Sequence, residues 1–294
     1  MYWHGTERTD FVKWRSALIN CGVVLLAGVL AFGGWQLFGP TANQSRLAGT
    51  PGSVKHLRLT AVGDSLTHGV GDATSSGGYV ALVKTDLAQS GEYKVTTSNF
   101  GVTGNTAPQV QKRLDAQPKM QKAVRQADII TLTVGGNDLM AVLRKHFFDI
   151  TSADVQTGIA GFQTHLTKLL TTMRKLNPRA PIYVFGIYNP FYVYFPKLTA
   201  MTDSVTKWNA ATKQTLAKQS RVHFVDIDQV LSTGATQSTD KSTKASLKKA
   251  AQGESDANPL IFSQDHFHPN NAGYAQMTRK LWASMQASQS EWEK

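Results

Sequence analysis

Leu57-Arg58-Leu59-Thr60-Ala61-Val62-Gly63-Asp64-Ser65-Leu66 runs from an apolar stretch directly into a polar turn. Leu57, Leu59 and Ala61 alternate with Arg58 and Thr60, the period of a strand, and the turn leaves a serine at the strand's carboxyl end. Four further β-branched or aromatic runs follow, Tyr93–Phe100, Asp128–Val134, Ile182–Ile187 and Val222–Ile227. Within the third, Ile129 to Val134 is nearly continuous in apolar or β-branched residues, as a strand covered on both faces requires. Helical periods are predicted between these runs, over Tyr79–Ser90, Thr106–Gln126, Ala153–Leu176 and Asp203–Gln219. In the longest, Ile159, Phe162, Leu166, Leu169, Leu170 and Met173 recur at steps of three and four, and Asn177-Pro178 stops it. A last helix is predicted after Pro269, carrying Tyr274, Met277, Leu281 and Trp282. The alternation predicts an α/β fold with a mostly parallel, five-stranded sheet between helical layers.

In such sheets ligands sit at the carboxyl ends of the strands. Ser65 follows the first predicted strand, Gly104 and Asn105 the second, and Asn137 the third, while Asp265 and His268 precede the last helix. A serine hydroxyl is a poor nucleophile at neutral pH unless a base lies within hydrogen-bond reach and a third group orients that base. Ser65 with Asp265-His266-Phe267-His268-Pro269 supplies those parts and points to hydrolytic chemistry. His266 and His268 are two residues apart and point in different directions if the loop is extended. Pro269 pre-sets entry to the last helix and favours His268 as the base. Asp265, His266 and His268 are too tightly spaced for a convincing zinc site, and no other cluster offers ligands, so neither metal nor cofactor is expected.

Other residues carry two readings each. Asp64 holds the serine loop through hydrogen bonds or takes part in the chemistry. Asp138 caps the helix after Asn137 or acts on substrate. His68 lines the mouth of the site or is an ordinary exposed loop histidine, and Asn105 aids acyl binding or makes its turn. The aromatic run Tyr188 to Phe195 is a lid or wall for an apolar substrate portion, or core packing. On the first reading Tyr188, Phe191 and Tyr192 line substrate.

The chain has 294 residues and a formal net charge of +11. From Ala17 to Phe38 no residue is charged. That length suits a helix crossing a hydrocarbon core of about 30 Å. Arg8, Lys13 and Arg15 precede it, which favours a cytoplasmic N-terminus. The expected organisation is a cytoplasmic segment over 1–15, a transmembrane anchor over 16–38, a Gly/Pro/Ser/Thr-rich linker over 39–56, and one domain over 57–294. Cleavage of the apolar segment as a signal peptide is the rival reading. Cys21 is the single cysteine, so no disulfide forms within the chain. The basic residues are scattered and lack an aromatic platform, which argues against nucleic acid. Attraction to an anionic wall or membrane surface is the more economical account of the charge. A monomer is expected.

Four ordered blocks give the chain a family resemblance. Gly63-Asp64-Ser65-Leu66, Val102-Thr103-Gly104-Asn105, Gly135-Gly136-Asn137-Asp138 and Asp265-His266-Phe267-His268-Pro269 resemble blocks of the SGNH hydrolase superfamily, also called the GDSL lipase/esterase family. The likeness is to its membrane-anchored or secreted Gram-positive members. The resemblance implies a three-layer, flavodoxin-like α/β/α sandwich. It also implies a triad of Ser65, Asp265 and His268, with an oxyanion hole from the N–H groups of Ser65 and Gly104 and the amide of Asn137. Gly63-Asp64-Ser65-Leu66-Thr67 lacks the second glycine of a G-x-S-x-G elbow, against the larger α/β-hydrolase fold. The implied function is an extracytoplasmic serine esterase cleaving lipid or short-to-medium acyl esters. The alternatives are an O-acetyl esterase acting on cell-wall or other carbohydrate polymers and a non-catalytic surface protein binding glycan or lipid.

Overall fold

The computed structural model describes residues 54–89, 91–145, 151–193, 199–234 and 258–293. Five strands, β1 (Lys55–Gly63), β2 (Tyr93–Gly101), β3 (Ile129–Thr133), β4 (Ile182–Phe185) and β5 (Val222–Val225), form one sheet in the order β2-β1-β3-β4-β5. Every pairing is parallel, so the sheet is wholly and not mostly parallel. This is the doubly wound, flavodoxin-like order, in which the chain reverses direction between β1 and β3 and opens a crevice at their carboxyl ends.

The helices are α1 (Ser65–His68), α2 (Tyr79–Gln89), α3 (Ala107–Ala116), α4 (Pro118–Gln126), α5 (Gly136–Lys145), α6 (Ser152–Leu176), α7 (Thr199–Leu216), α8 (Asp228–Thr233) and α9 (Asn271–Ala287). The sheet separates two apolar cores. Val62, Ile130, Leu132, Ile182 and Val184 face a layer built on α3, α4, α6 and α7. Leu57, Leu59, Ala61, Ile129, Tyr183 and Phe185 face α2 and α9 on the other side. Alternate residues of one strand thus enter different cores, which is why β3 and β4 read as continuous apolar runs.

The single helix expected over Thr106–Gln126 is two. Pro118 disfavours the helical region at the residue before it, and Gln117 lies extended at φ −109°, ψ 103°. The stop after Leu176 holds as expected. The Asn177 side chain donates to the Val124 and Ala127 carbonyls at 2.8 Å each, tying the end of α6 to the turn before β3.

The membrane expectations are corrected. Among the described residues no helix is long and apolar enough to cross a membrane. The longest, α6, has the length but is amphipathic: Ile159, Phe162 and Leu166 are buried while Asp154, Lys168 and Lys175 are not. The anchor expected over 16–38 lies outside the described residues. The transmembrane segment, the membrane as a partner and the single-pass location therefore have no support in the structure.

Candidate active site

The site is built on the β1/β3 crevice. Gly63 ends β1 against β3 so closely that a Cβ there would lie 2.3 Å from Thr133 Oγ1; only glycine lets the chain turn at this point. Asp64 then caps the one-turn helix α1, accepting from the Leu66 N–H at 3.0 Å and the Thr133 hydroxyl at 2.7 Å. Ser65 is the first residue of that turn.

The return loop before α9 brings the other end of the chain to this serine. An isolated bridge pairs Ile261 with Pro269, and the Phe262 N–H donates to the His268 carbonyl at 2.7 Å. Asn270 caps α9 by accepting from the Gly273 N–H. Between these anchors, Asp265 Oδ1 accepts from the N–H groups of Phe267 (2.9 Å) and His268 (3.0 Å), and Oδ2 lies 2.6 Å from His268 Nδ1. His268 Nε2 lies 2.9 Å from Ser65 Oγ. Serine, imidazole and carboxylate form one hydrogen-bonded line across 203 residues of sequence separation. Of the two histidines, His268 is the one whose ring meets Ser65.

Asp265 keeps a carboxyl below its ordinary pKa. Partial burial pushes it up, but the ring of His268 and the two backbone N–H groups outweigh that. Asp64 behaves oppositely. Complete burial raises it to about 7, against the pull of the Thr133 hydroxyl and the Leu66 N–H.

Asn137, in the first turn of α5, donates through Nδ2 to the Asn105 carbonyl at 3.0 Å, leaving its second amide N–H for another acceptor. Gly104 precedes Asn105 in an exposed loop at φ +79°, a left-handed conformation that favours glycine. Asp138 accepts from the Ala107 N–H at 3.1 and 3.0 Å. It therefore caps α3, a neighbouring helix, rather than only its own. Burial raises its pKa, opposed by that N–H.

A cavity of about 40 Å³ opens beside Ser65, walled by Leu66, Val134, Ile187, Tyr188, Pro190 and Phe267, with Asn137 at its edge. One water needs about 10–15 Å³ on this measure, so the space takes a group of a few heavy atoms. Tyr188 both lines the cavity and donates its hydroxyl to the Phe267 carbonyl at 2.6 Å. Phe191 does not line it. Its ring lies 6.2 Å from that of Phe267, and it faces a separate apolar cavity of about 540 Å³ with Met140, Leu143 and Met201. Tyr192 is half-buried and His68 is exposed, and neither borders the small cavity. Residues 194–198, which include the end of the aromatic run, lie outside the described residues.

The model of the GDSL-like lipase/acylhydrolase family matches residues 61–276. The chain belongs to that family. An uncharacterised protein of Bacillus subtilis, YpmR, is 30% identical over 232 residues, covering 79% of this chain and 82% of that protein. A spore germination lipase of Bacillus licheniformis is 26% identical, covering 78% and 96%. Among solved structures, a lipase from a goat rumen metagenome is similar in fold, with TM-score 0.61 and 24% identity over 78% of this chain and 97% of that one. An acetylxylan esterase from Geobacillus stearothermophilus gives TM-score 0.54 and 19% identity, covering 78% and 94%. At family level this GDSL-like chain is a hydrolase of ester bonds.

Two contributors carried no motif in the sequence. Thr133, one of several strand threonines, is where the Asp64 carboxylate is anchored. Its hydroxyl also meets Thr67 Oγ1 at 2.7 Å, which in turn lies 3.1 Å from the Tyr79 hydroxyl. Arg113 is one of many cations on helix surfaces, and its partners lie 8, 13 and 50 residues away.

Proposed function

We propose that this GDSL-family protein is a serine esterase that removes short acyl groups, acetyl foremost, from carbohydrate hydroxyls. The observation that carries the mechanism is the 2.9 Å approach of His268 Nε2 to Ser65 Oγ, with His268 Nδ1 held at 2.6 Å by Asp265. Ser65 Oγ attacks the ester carbonyl while Nε2 takes its proton, and Asp265 fixes the tautomer and stabilises the imidazolium. The oxyanion is received by the N–H groups of Ser65 and Gly104 and by the Asn137 amide. One such donor is worth about 3 kcal/mol in the transition state. The tetrahedral intermediate collapses as His268 protonates the leaving alcohol. Water, deprotonated by the same nitrogen, then releases the acid from Ser65.

The short-acyl preference is supported by the small size of the cavity beside Ser65, about 40 Å³, which suits a group of a few heavy atoms. Fold likeness to an acetylxylan esterase is consistent with a sugar as the leaving group. A second reading, hydrolysis of longer acyl esters, is favoured by the larger cavity of about 540 Å³ that Phe191, Met140, Leu143 and Met201 help to line.

The test compares wild type with Ser65→Ala on p-nitrophenyl acetate, butyrate and octanoate and on acetylated xylo-oligosaccharide. Wild type is expected to prefer acetate, to release acetate from the oligosaccharide, and to lose at least about 10³-fold in kcat on the substitution. Preference for octanoate would move the assignment to lipid esters. Equal activity in both proteins would remove Ser65 from the mechanism.

A further inference from the structure

Arg113 lies on α3, outside the line of Ser65, His268 and Asp265. Its guanidinium nevertheless reaches three acceptors on three segments. Nε donates to Asn105 Oδ1 at 2.7 Å, Nη1 to the Phe100 carbonyl at 3.0 Å and Nη2 to the Gly63 carbonyl at 2.9 Å. Gly63 ends β1, two residues before Ser65. Phe100 is the penultimate residue of β2, whose exit loop carries Gly104. Asn105 follows that glycine, and its carbonyl holds the Asn137 amide at 3.0 Å. Each segment that Arg113 grips thus leads directly to one of the three donors assigned to the oxyanion.

We infer that Arg113 is a positioning residue, clamping the carboxyl ends of β1 and β2 to Asn105 so that the Ser65, Gly104 and Asn137 donors converge on one point. The inference rests on the serine-esterase reading above. All three acceptors are uncharged, so these bonds fix geometry rather than neutralise a carboxylate. A guanidinium suits the task because it is planar and presents its N–H groups in a rigid fork; a lysine ammonium is a single flexible point. Pairing of the two strands does not depend on the clamp. Their register already joins Gly63 to Gly101, and the Val102 N–H donates to the Gly63 carbonyl at 3.0 Å. What Arg113 adds is the third segment, the exposed loop at Gly104 and Asn105, which no strand pairing holds.

The clamp acts on the transition state and not on substrate binding, and this separates it from a merely structural role. In Arg113→Ala, kcat on p-nitrophenyl acetate is expected to fall about 10²-fold, the usual cost of an ångström-scale misplacement, while KM stays within about twofold. Ethylguanidinium added to Arg113→Ala is expected to restore part of the lost kcat, ethylammonium to restore none, and Arg113→Lys to remain impaired. Asn105→Ala removes only the loop arm and is expected to show a smaller loss, again confined to kcat. It also keeps the test open if Arg113→Ala fails to fold. Wild-type kcat in Asn105→Ala, or a loss in folded Arg113→Ala that ethylguanidinium does not relieve, would overturn the inference. A fluorophosphonate probe run in parallel separates it from its premise. If wild type is labelled at Ser65 and both variants keep full kcat, only the clamp falls. If Ser65 is not labelled and Ser65→Ala stays active, the serine mechanism falls and the clamp with it.

Discussion

Asp64 is a buried carboxyl that accepts two hydrogen bonds, from Thr133 and Leu66, and has no cation among these partners. Its pKa rises to about 7 in the folded protein because desolvation outweighs those bonds. In the unfolded chain it titrates near the ordinary aspartate value of 3.8. The folded state therefore holds a proton that the unfolded state has lost between those two values. Stability contributed by this site is greatest below the unfolded value, falls as pH rises towards 7, and is level above it. Asp64→Asn keeps an acceptor for both donors and cannot ionise. Urea denaturation at intervals from pH 4 to pH 8 should show wild type losing stability relative to Asp64→Asn up to about pH 7. Parallel curves for the two proteins would show that the buried carboxyl does not titrate there. Asp72 has the opposite sign. Its carboxylate is bonded by the N–H groups of Thr74, Ser76, Gly77 and Gly78, and these, with the Thr74 hydroxyl, bring it to about 2 in spite of desolvation. It stabilises the loop after α1 at every pH above its ordinary range.

At the scale of elements, the return loop takes part of its support from elsewhere in the chain. It is a short non-repetitive segment closed by the Ile261–Pro269 bridge just before α9, and the Tyr188 hydroxyl ties its Phe267 carbonyl to the loop after β4. Burial pushes that hydroxyl well above its ordinary pKa, so it remains a donor at every working pH. In Tyr188→Phe the Phe267 carbonyl loses this partner, with an expected cost of about 1–3 kcal/mol in unfolding free energy. Some of that is expected to appear as a fall in kcat, since Phe267 is the neighbour of His268. Unfolding by urea and initial rates on the acetyl ester measure both. An unchanged unfolding free energy would mean that the bond contributes nothing to holding the loop. The strands were legible because their side chains alternate between two cores, and the break at Pro118 follows from proline's own geometry. The helix α5 was legible only as a helix following Asn137, without its bounds. It begins on Gly136 and Asn137, residues of loop character, and its first-turn aspartate also accepts from the first N–H of α3. Ser65, His268 and Asp265 were legible as a motif. Arg113 and Thr133 were not, because their roles depend on pairings between distant segments that no local period encodes.

At the scale of the whole molecule, one sheet serves two cores, one on each face. Leu166 on α6 belongs to one core and Leu281 on α9 to the other, and both are fully buried. Each leucine-to-alanine change should cost about 2–5 kcal/mol, the range for a buried leucine whose cavity closes only partly. Because they belong to different cores on opposite faces of the sheet, the two losses should add to within about 0.5 kcal/mol in Leu166→Ala/Leu281→Ala. Urea denaturation of wild type, the two single variants and the double variant, followed by both far-ultraviolet circular dichroism and tryptophan fluorescence, reads this directly. Additive losses with coincident transitions would mean that the sheet makes a single cooperative unit of two independent packing layers. A coupling well above that margin would mean that strain passes through β3. In that case the β1/β3 crevice, where Ser65 and Asn137 sit, would respond to packing changes in either layer. The same four proteins assayed on the acetyl ester then give the functional counterpart: if the layers are independent, kcat of the folded double variant should equal the product of the two single effects.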